Sequence, residues 1–300
     1  MRAAAAEIGQ TKAIGFRDRI SAFVELTKPR IALMLVLSSA AGFYLGSRTP
    51  IDLALFVNSM IGIALLAFGV ATLNQYIERR TDALMNRTAR RPLPSGRISP
   101  AEALAFGLAQ CIVSLIYLYV LVNPLTAYLG LVVIVGYVFL YTPLKTKTSV
   151  STAIGAIPGA MPPLMGWTSA ANEVTIGGWA LFAMLFLWQF PHFFAIAWMY
   201  RDDYARAGIK MLPVVEADGR ITARQIILFS VMLAPVSLAP FFLGFAGPIF
   251  LAGATLLALW FVVESYRAAR ARTPLMARRL LLCTVLYLPL YLALAVIDSR

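Results

Sequence analysis

The chain has 300 residues, 60% of them hydrophobic, and a formal net charge of +12. Its mean hydropathy of +0.77 excludes a soluble domain of ordinary composition. The basic residues are scattered through short gaps between long apolar runs, which excludes a basic nucleic-acid-binding face.

About 20 apolar residues in helix cross a hydrocarbon core about 30 Å thick. Nine such runs are predicted in chain order: 31–47, 53–74, 101–122, 125–141, 151–169, 177–200, 222–243, 248–267 and 278–298. The fold class is therefore all-α, a polytopic membrane protein with residues 27–300 forming one transmembrane domain. Residues 1–26 mix charged and small residues without the long apolar core of a cleaved signal peptide, and are expected to be a mobile cytoplasmic arm. Cys111 and Cys283 fall inside predicted spans with no metal or disulfide spacing, so buried thiols are expected.

Of the 26 Lys and Arg residues, 24 lie in alternate gaps: the N-terminal arm, 75–100, 142–150, 201–224 and 267–279. Only Arg48 and Arg300 lie on the other side. The positive-inside rule then places the N-terminus in the cytoplasm and the C-terminus outside, in keeping with an odd number of spans. The gaps after spans two and six are the only long ones, and long loops in a compact protein are usually functional or disordered. Both end in Gly-Arg-Ile followed by Ser or Thr, at 96–99 and 219–222, and Thr-Pro-Leu recurs at 142–144 and 273–275. Two four-helix halves and a ninth helix are expected, with the charged loops facing each other across a central cavity. Ser99-Pro100-Ala101-Glu102 reads as a capping box with proline at the first helical position.

The first long gap carries the chemistry. Asn74, Glu78 and Asp82 recur every fourth residue, so on a helix they drift by about 40° per step and share one face. Ionisable groups at membrane depth are costly and mark substrate or ion paths. Oxygen ligands without His or Cys suit Mg²⁺, which takes one or two carboxylates and completes its shell with substrate phosphates. Arg79, Arg80, Arg87, Arg90, Arg91 and Arg97 stand around them, and the guanidinium fork matches phosphate oxygens. A magnesium diphosphate site is expected; the competing reading is a loop that only anchors topology, which has no need of face-aligned acids. Beyond span six, Asp202 and Asp203 are candidate metal ligands, and Arg206 and Lys210 candidate phosphate contacts, against the alternative of a solvated helix end. His192, the only histidine, follows a proline that should kink the helix, and is either a hydrogen-bonded structural residue or a functional one. Lys145 is either a phosphate ligand or a topology anchor.

Asn74-x3-Glu78-x3-Asp82-x2-Met85-x-Arg87-Thr88-x2-Arg91-Pro92-Leu93 resembles the first acidic motif of the UbiA-type intramembrane prenyltransferases. Tyr141-Thr142-Pro143-Leu144-Lys145, the Gly/Pro-rich stretch from Gly155 to Trp167, and Trp188-Gln189-x-Pro191-His192-Phe193 with Asp203-Tyr204 resemble the branch of that superfamily that farnesylates heme. The resemblance runs from about Thr27 to the last span. It implies nine helices around a central cavity capped from the cytoplasm, in a bacterial inner membrane. It also implies Mg²⁺-dependent transfer of farnesyl from farnesyl diphosphate to a vinyl group of heme b, giving heme O and diphosphate, with heme as substrate rather than cofactor. On that basis Glu78, Asp82, Lys145 and His192 are expected to be catalytic, and Asn74, Glu78, Asp82, Asp202 and Asp203 to serve the metal. Arg79, Arg87, Arg90, Arg91, Arg206 and Lys210 are expected on the diphosphate, and Trp188, Gln189 and His192 beside heme. A heme A synthase or a terminal oxidase is the expected recipient of product.

One departure matters. Many superfamily members carry Asp-x3-Asp in the second motif, whereas Arg206 follows Asp202 by four residues and Ala207 follows Asp203 by four, which puts a second metal ion in doubt. Two alternatives stand beside this reading: a prenyltransferase for a quinone-precursor or chlorin acceptor, and a membrane transporter. Transporters place their polar groups near the midplane, whereas this cluster lies at a rim.

Overall fold

The computed structural model describes residues 15–47, 50–216 and 218–299. Residues 1–14 of the expected arm, and Arg48 and Arg300 of the topology argument, lie outside the described residues. The helices are α1 (Phe16–Leu26), α2 (Pro29–Gly46), α3 (Leu53–Asp82), α4 (Pro100–Leu121), α5 (Pro124–Leu144), α6 (Ser151–Gly159), α7 (Met161–Ala171) and α8 (Ile176–Met199). After the second charged loop, which holds α9 (Arg201–Arg206) and α10 (Leu212–Val215), come α11 (Arg220–Ser237), α12 (Ala239–Phe242), α13 (Pro248–Ala271) and α14 (Pro274–Ile297).

In hydrocarbon a chain must satisfy its own backbone polar groups, which leaves helices as the natural solution here. Their ends are marked by local chemistry. Proline at the first turn starts α2, α4, α5, α13 and α14, where its missing N–H costs nothing. Asp52, Asn123 and Thr273 accept from backbone N–H groups at their helix starts. Ser99 and Glu102 close the expected capping box on α4.

Eight helices among the described residues are long and apolar enough to cross a bilayer. The expected span at 151–169 is not one of them: it is divided into α6 and α7 at Ala160. Pro162 and Pro163 follow that residue, and two prolines in a row deprive the preceding turn of hydrogen-bond donors. A second difference lies at α1. Residues 16–26, expected as part of a mobile arm, form a helix that buries Ala22 and Leu26 against Leu93, Ile98 and Ala103. Gln75 Nε2 donates to the Leu26 carbonyl at 2.9 Å, tying α1 to α3. Its apolar positions, interrupted by charges, were too sparse to read as a buried face.

The apolar core falls into two main clusters. One joins α3, α4, α5 and α7 around Leu66, Leu118, Ile134 and Leu164. The other joins α8, α11, α13 and α14 around Leu181, Leu233, Phe250 and Tyr287. Outward-facing large apolar residues such as Phe242, Ile249 and Leu256 are exposed, as a lipid-facing surface requires. Both cysteines are buried and free.

Helices α2 and α7 cross backbone to backbone, and small residues permit it. A Cβ on Gly166 would overlap the Ser39 carbonyl, and one on Gly42 would overlap the Pro163 carbonyl. Backbone cannot retreat as a flexible side chain can. Gly166→Ala should therefore destabilise the protein by about 1–3 kcal/mol or more, read as a lower unfolding temperature in detergent. Gly136→Ala, whose Cβ would sit 3.4 Å from the Pro158 ring, should be near neutral. Equal unfolding temperatures for the two variants would refute the backbone contact.

Candidate active site

α3 continues past the apolar run to Asp82, so Asn74, Glu78 and Asp82 all lie on one unbroken helix. Asn74 and Asp82 are buried and Glu78 nearly so. Each meets a partner from a different part of the chain. Asn74 Oδ1 accepts from Lys28 Nζ at 2.8 Å, and its Nδ2 donates to Thr142 Oγ1 at 3.1 Å. Lys145 Nζ is 2.6 Å from Glu78 Oε1, and Arg91 Nη1 donates to Asp82 Oδ2 at 2.7 Å. Thr88 Oγ1 donates to the Asp82 carbonyl at 2.8 Å and folds the loop back over the helix end.

Lys145 is delivered by an irregularity in α5. Residues Val135–Tyr141 form a π-helix, a form that recurs at functional sites. Its cause is local: Pro143 would clash with the carbonyl four residues earlier in an α-helix. In the wider turn the Thr142 N–H reaches the Tyr137 carbonyl instead, and Thr142 Oγ1 donates to the same oxygen at 2.7 Å. Gly155 on α6 leaves room for the Tyr141 ring, which a Cβ there would overlap. The Lys145 ammonium lies 4.4 Å from the centre of that ring.

The second charged loop closes over the first. Arg87 Nη2 donates to Tyr204 Oη at 2.5 Å, with its guanidinium over the rings of Tyr200 and Tyr204. Met85 is buried with Ala197, Tyr204, Ala207 and Ile209. The Lys210 backbone N–H donates to the Lys145 carbonyl at 2.7 Å. The two loops expected to face each other do meet, and through these contacts.

Not every expected residue joins the cluster. Asp203 pairs with Arg206 on its own short helix, while Asp202 and the Lys210 side chain are exposed. Arg79 turns back onto its own helix, donating to the Tyr76 carbonyl at 2.6 Å. Arg90 is exposed, and its carbonyl accepts from Arg97. Gln189, expected beside heme, is buried against α6: its Nε2 donates to the Ala156 and Leu185 carbonyls at 3.0 and 3.1 Å. It thereby supports the break between α6 and α7. Trp188 and His192, one turn apart, stack at 4.7 Å and share Thr284 on α14. Trp188 Nε1 donates to the Thr284 carbonyl at 2.9 Å, and His192 Nδ1 lies 2.8 Å from Thr284 Oγ1. No contact among the described residues engages His192 Nε2. The helix runs unbroken through Pro191.

Lys28 was missed, because a lysine before the first span counts equally well as a topology charge. A signal was present in Lys28-Pro29, since proline starts α2 and makes Lys28 its N-cap. Its left-handed backbone, with φ of 49°, turns the side chain toward Asn74. Burial and the nearby Arg91 charge push its pKa down to about 7, against the opposing pull of Glu78 and Asp82. Burial acts on Lys145 in the same sense, but Glu78, with Tyr141 and Tyr137, outweighs it and raises Lys145 well above the usual lysine value.

Magnesium fits this donor set. Asp82 Oδ1 is buried without a hydrogen-bond partner, while Oδ2 is held by Arg91, so one carboxylate oxygen is aimed and unsatisfied. No three Asp, Glu, His or Cys side chains converge among the described residues. Mg²⁺ takes one or two protein carboxylates and completes its shell with phosphate oxygens, and Glu78 and Asp82 are the two carboxylates at this mouth. Three cations, Lys28, Arg91 and Lys145, surround two carboxylates, and this surplus suits a polyanion.

A helical membrane bundle with carboxylates and cations gathered at one mouth is suited to a polyanionic substrate head. Residues 35–294 match the UbiA prenyltransferase family, and the chain belongs to it. It is 50% identical to a protoheme IX farnesyltransferase of Solibacter usitatus over 92% of this chain and 98% of that protein. The fold is similar to that of a digeranylgeranylglyceryl phosphate synthase, with a TM-score of 0.79, 15% identity and coverage of 93% of this chain and 98% of that one. It is also similar to a UbiA homolog from Archaeoglobus fulgidus bound to GPP and Mg²⁺, with a TM-score of 0.66, 20% identity and coverage of 91% and 99%.

Two stability experiments test the charge arrangement. Glu78→Gln leaves Lys145 charged and without its counter-ion, and should cost about 3–5 kcal/mol; Glu78→Gln with Lys145→Met should recover most of that loss. Failure of the double variant to recover would refute the pairing. Folded Lys28 holds its proton less tightly than the unfolded chain does, about 7 against 10.5. Between those values the unfolded state binds more protons, so stability should rise with pH. Lys145 stays protonated in both states over that window and adds no slope. Thermal unfolding from pH 7 to 9 should therefore show a shallower rise for Lys28→Met than for the parent; identical slopes would count against this assignment.

Proposed function

We propose that the protein transfers the farnesyl group of farnesyl diphosphate to a vinyl group of heme b, giving heme O and diphosphate. The observation that carries the diphosphate half is the mouth of α3, where one buried carboxylate oxygen of Asp82 is unsatisfied among three cations, Lys28, Arg91 and Lys145. The acceptor half rests on the 50%-identical relative, a protoheme IX farnesyltransferase. It is supported by the Trp188–His192–Thr284 group, which presents a free ring nitrogen beside an aromatic face.

In this reading Asp82 and Glu78 hold Mg²⁺, with Asn74 positioning Lys28 beside them, and the ion neutralises phosphate charge when bound. Lys145, Arg91, Arg87 and Lys28 orient the diphosphate and receive the charge that builds on it as the farnesyl C1–O bond breaks. Preorganised cations aimed at developing charge are usually the largest catalytic contribution. Asp203 and Arg206, with Asp202 and Lys210, stand at the outer rim, where a loop movement would bring them to the phosphates. The bond electrons leave with diphosphate, and the vinyl terminal carbon attacks C1. The cation formed next to the porphyrin ring takes up water, and the water's extra proton passes to a base. His192 Nε2 is assigned as that base, with Thr284 fixing its ring and Trp188 packed against its face. Exclusion of water from the farnesyl cation until the vinyl group is in place falls to the apolar walls of α5 and α8.

The α6–α7 pair, residues 151–171, is long enough at about 1.5 Å per residue to cross as a broken ninth helix. Nine crossings would leave the termini on opposite sides, and the basic bias assigns the N-terminus and the site to the cytoplasmic face of the bacterial inner membrane, with the C-terminus outside. The product would pass to a heme A synthase or a terminal oxidase.

Asp82→Asn should reduce farnesyl transfer by about 10²–10³-fold, measured as heme O by mass spectrometry in membranes supplied with heme and farnesyl diphosphate. His192→Ala should lose heme O while leaving farnesyl diphosphate binding intact. Normal heme O output from His192→Ala at normal protein level would return His192 to a structural role. Transfer to a phenolic acid in place of heme would overturn the acceptor.

A further inference from the structure

Helices α11 and α13 pack together through Ser230 and Ser265, whose hydroxyls lie 2.8 Å apart. Two small residues hold the helices close at that level and leave a groove on the outer surface. The groove encloses a cavity of about 460 Å³ lined by Ile227, Ser230, Val231, Val262, Val263, Tyr266 and Arg267. Ser230 spends its own proton inside the bundle, on the Ser265 oxygen or the Ile226 carbonyl, so the walls presented outward are essentially hydrocarbon. Val231, Val263 and Tyr266 are all strongly exposed, on helices long and apolar enough to lie in a bilayer.

One end of this groove is charged. Arg267 sits at its rim with a half-exposed side chain. By helical spacing Arg270 follows Tyr266 by four residues and Arg267 by three, on the same face of α13. Arg224 precedes Ile227 by three residues and Val231 by seven, on the same face of α11. Arg224 and Arg270 are exposed, and neither has an ion pair among the described residues. The only carboxylate on α13 is Glu264. It is buried, and it is already shared by Arg267 at 2.6 Å and Arg279 at 3.7 Å. The groove therefore ends in three guanidinium groups with no acid available to the outer pair, on the membrane face that also carries the candidate active site.

We infer that this groove is a binding site for one anionic phospholipid, with an acyl chain along Val231 and Val263 and the phosphate on Arg224, Arg267 and Arg270. Three features favour that occupant over bulk lipid. The cavity accepts a chain below the level of the interface, whereas a flat helix pair would only touch lipid. The charge at its mouth is unbalanced and positive, which discriminates against a zwitterionic head. Arginine forks bind phosphate oxygens bidentately, and basic pockets between spans at a membrane surface recognise anionic headgroups. The site shares no residue with the diphosphate mouth and does not depend on the proposed reaction.

The test uses the full chain purified in mild detergent and titrated with dioleoyl phosphatidylglycerol or dioleoyl phosphatidylcholine, with bound lipid read by native mass spectrometry. The parent should retain phosphatidylglycerol in preference to phosphatidylcholine with one-to-one stoichiometry. Arg224→Gln and Arg270→Gln should each weaken that retention about five-fold. Val263→Trp, which fills the groove and leaves the arginines in place, should abolish it. Thermal unfolding without added lipid identifies any variant that has lost its fold, and Val231→Trp then replaces Val263→Trp. Equal retention of the two lipids, or phosphatidylglycerol binding that survives both the arginine and the tryptophan changes, would overturn the proposal. So would stabilisation by inorganic phosphate equal to that by phosphatidylglycerol, since that would mean an anion site without a chain.

Discussion

The interaction between Lys145 and Glu78 at the inner end of α3 constrains much of what surrounds it. Two full charges lie 2.6 Å apart at the edge of a hydrocarbon-filled bundle, where an unpaired charge would be far more costly than in water. Neither can be buried at that edge without the other. That requirement ties the end of α5 to the middle of the α3 extension, and Asn74 extends the tie to Lys28 at the start of α2. Buried ion pairs add little net stability, because desolvation offsets most of their attraction. Their placement here is better understood as preorganisation: cations fixed before the substrate's phosphates arrive need not be gathered during the reaction.

Several departures from regular helix serve that arrangement. The π-helix before Pro143 shifts the phase of α5 so that Thr142 reaches Asn74 while Lys145 reaches Glu78. The α6 backbone before the break at Ala160 lies within reach of Gln189, and Gly155 leaves room for the Tyr141 ring against α6. Each irregularity would cost stability in isolation. Side-chain donors supply part of the compensation: Thr142 Oγ1 donates to the Tyr137 carbonyl and Gln189 Nε2 to the Ala156 carbonyl.

The site also explains why such chemistry belongs in a membrane. A polyanionic head requires arginines and lysines near water, while an isoprenoid tail and a porphyrin require hydrocarbon. The end of a long transmembrane helix supplies both environments within two turns, because α3 changes from apolar to charged after Leu73. Arg87, stacked on Tyr200 and Tyr204, joins the two charged loops into a cover over that boundary.

The amino-acid sequence alone determined the membrane class, eight of the spans, the side on which charge gathers and the acidic face of α3. These properties follow from local period and composition: apolar length sets a crossing, and four-residue spacing sets a face. It also announced the capping box at Ser99, which depends on two residues three apart. Only the tertiary structure decided which charges meet. Lys28 and Arg30 look alike as topology charges, and only the packing of α2 beside α3 brings Asn74 within reach of Lys28. Gln189 and His192 are three residues apart on one helix, yet one faces α6 and the other α14, so their roles diverge. The division of the fifth span at Ala160 has a local signal in Pro162 and Pro163, whereas the separation of Asp202 and Asp203 from Glu78 and Asp82 arises from contacts between segments far apart in the chain. No local pattern encodes such contacts, because their energies depend on which helices lie side by side.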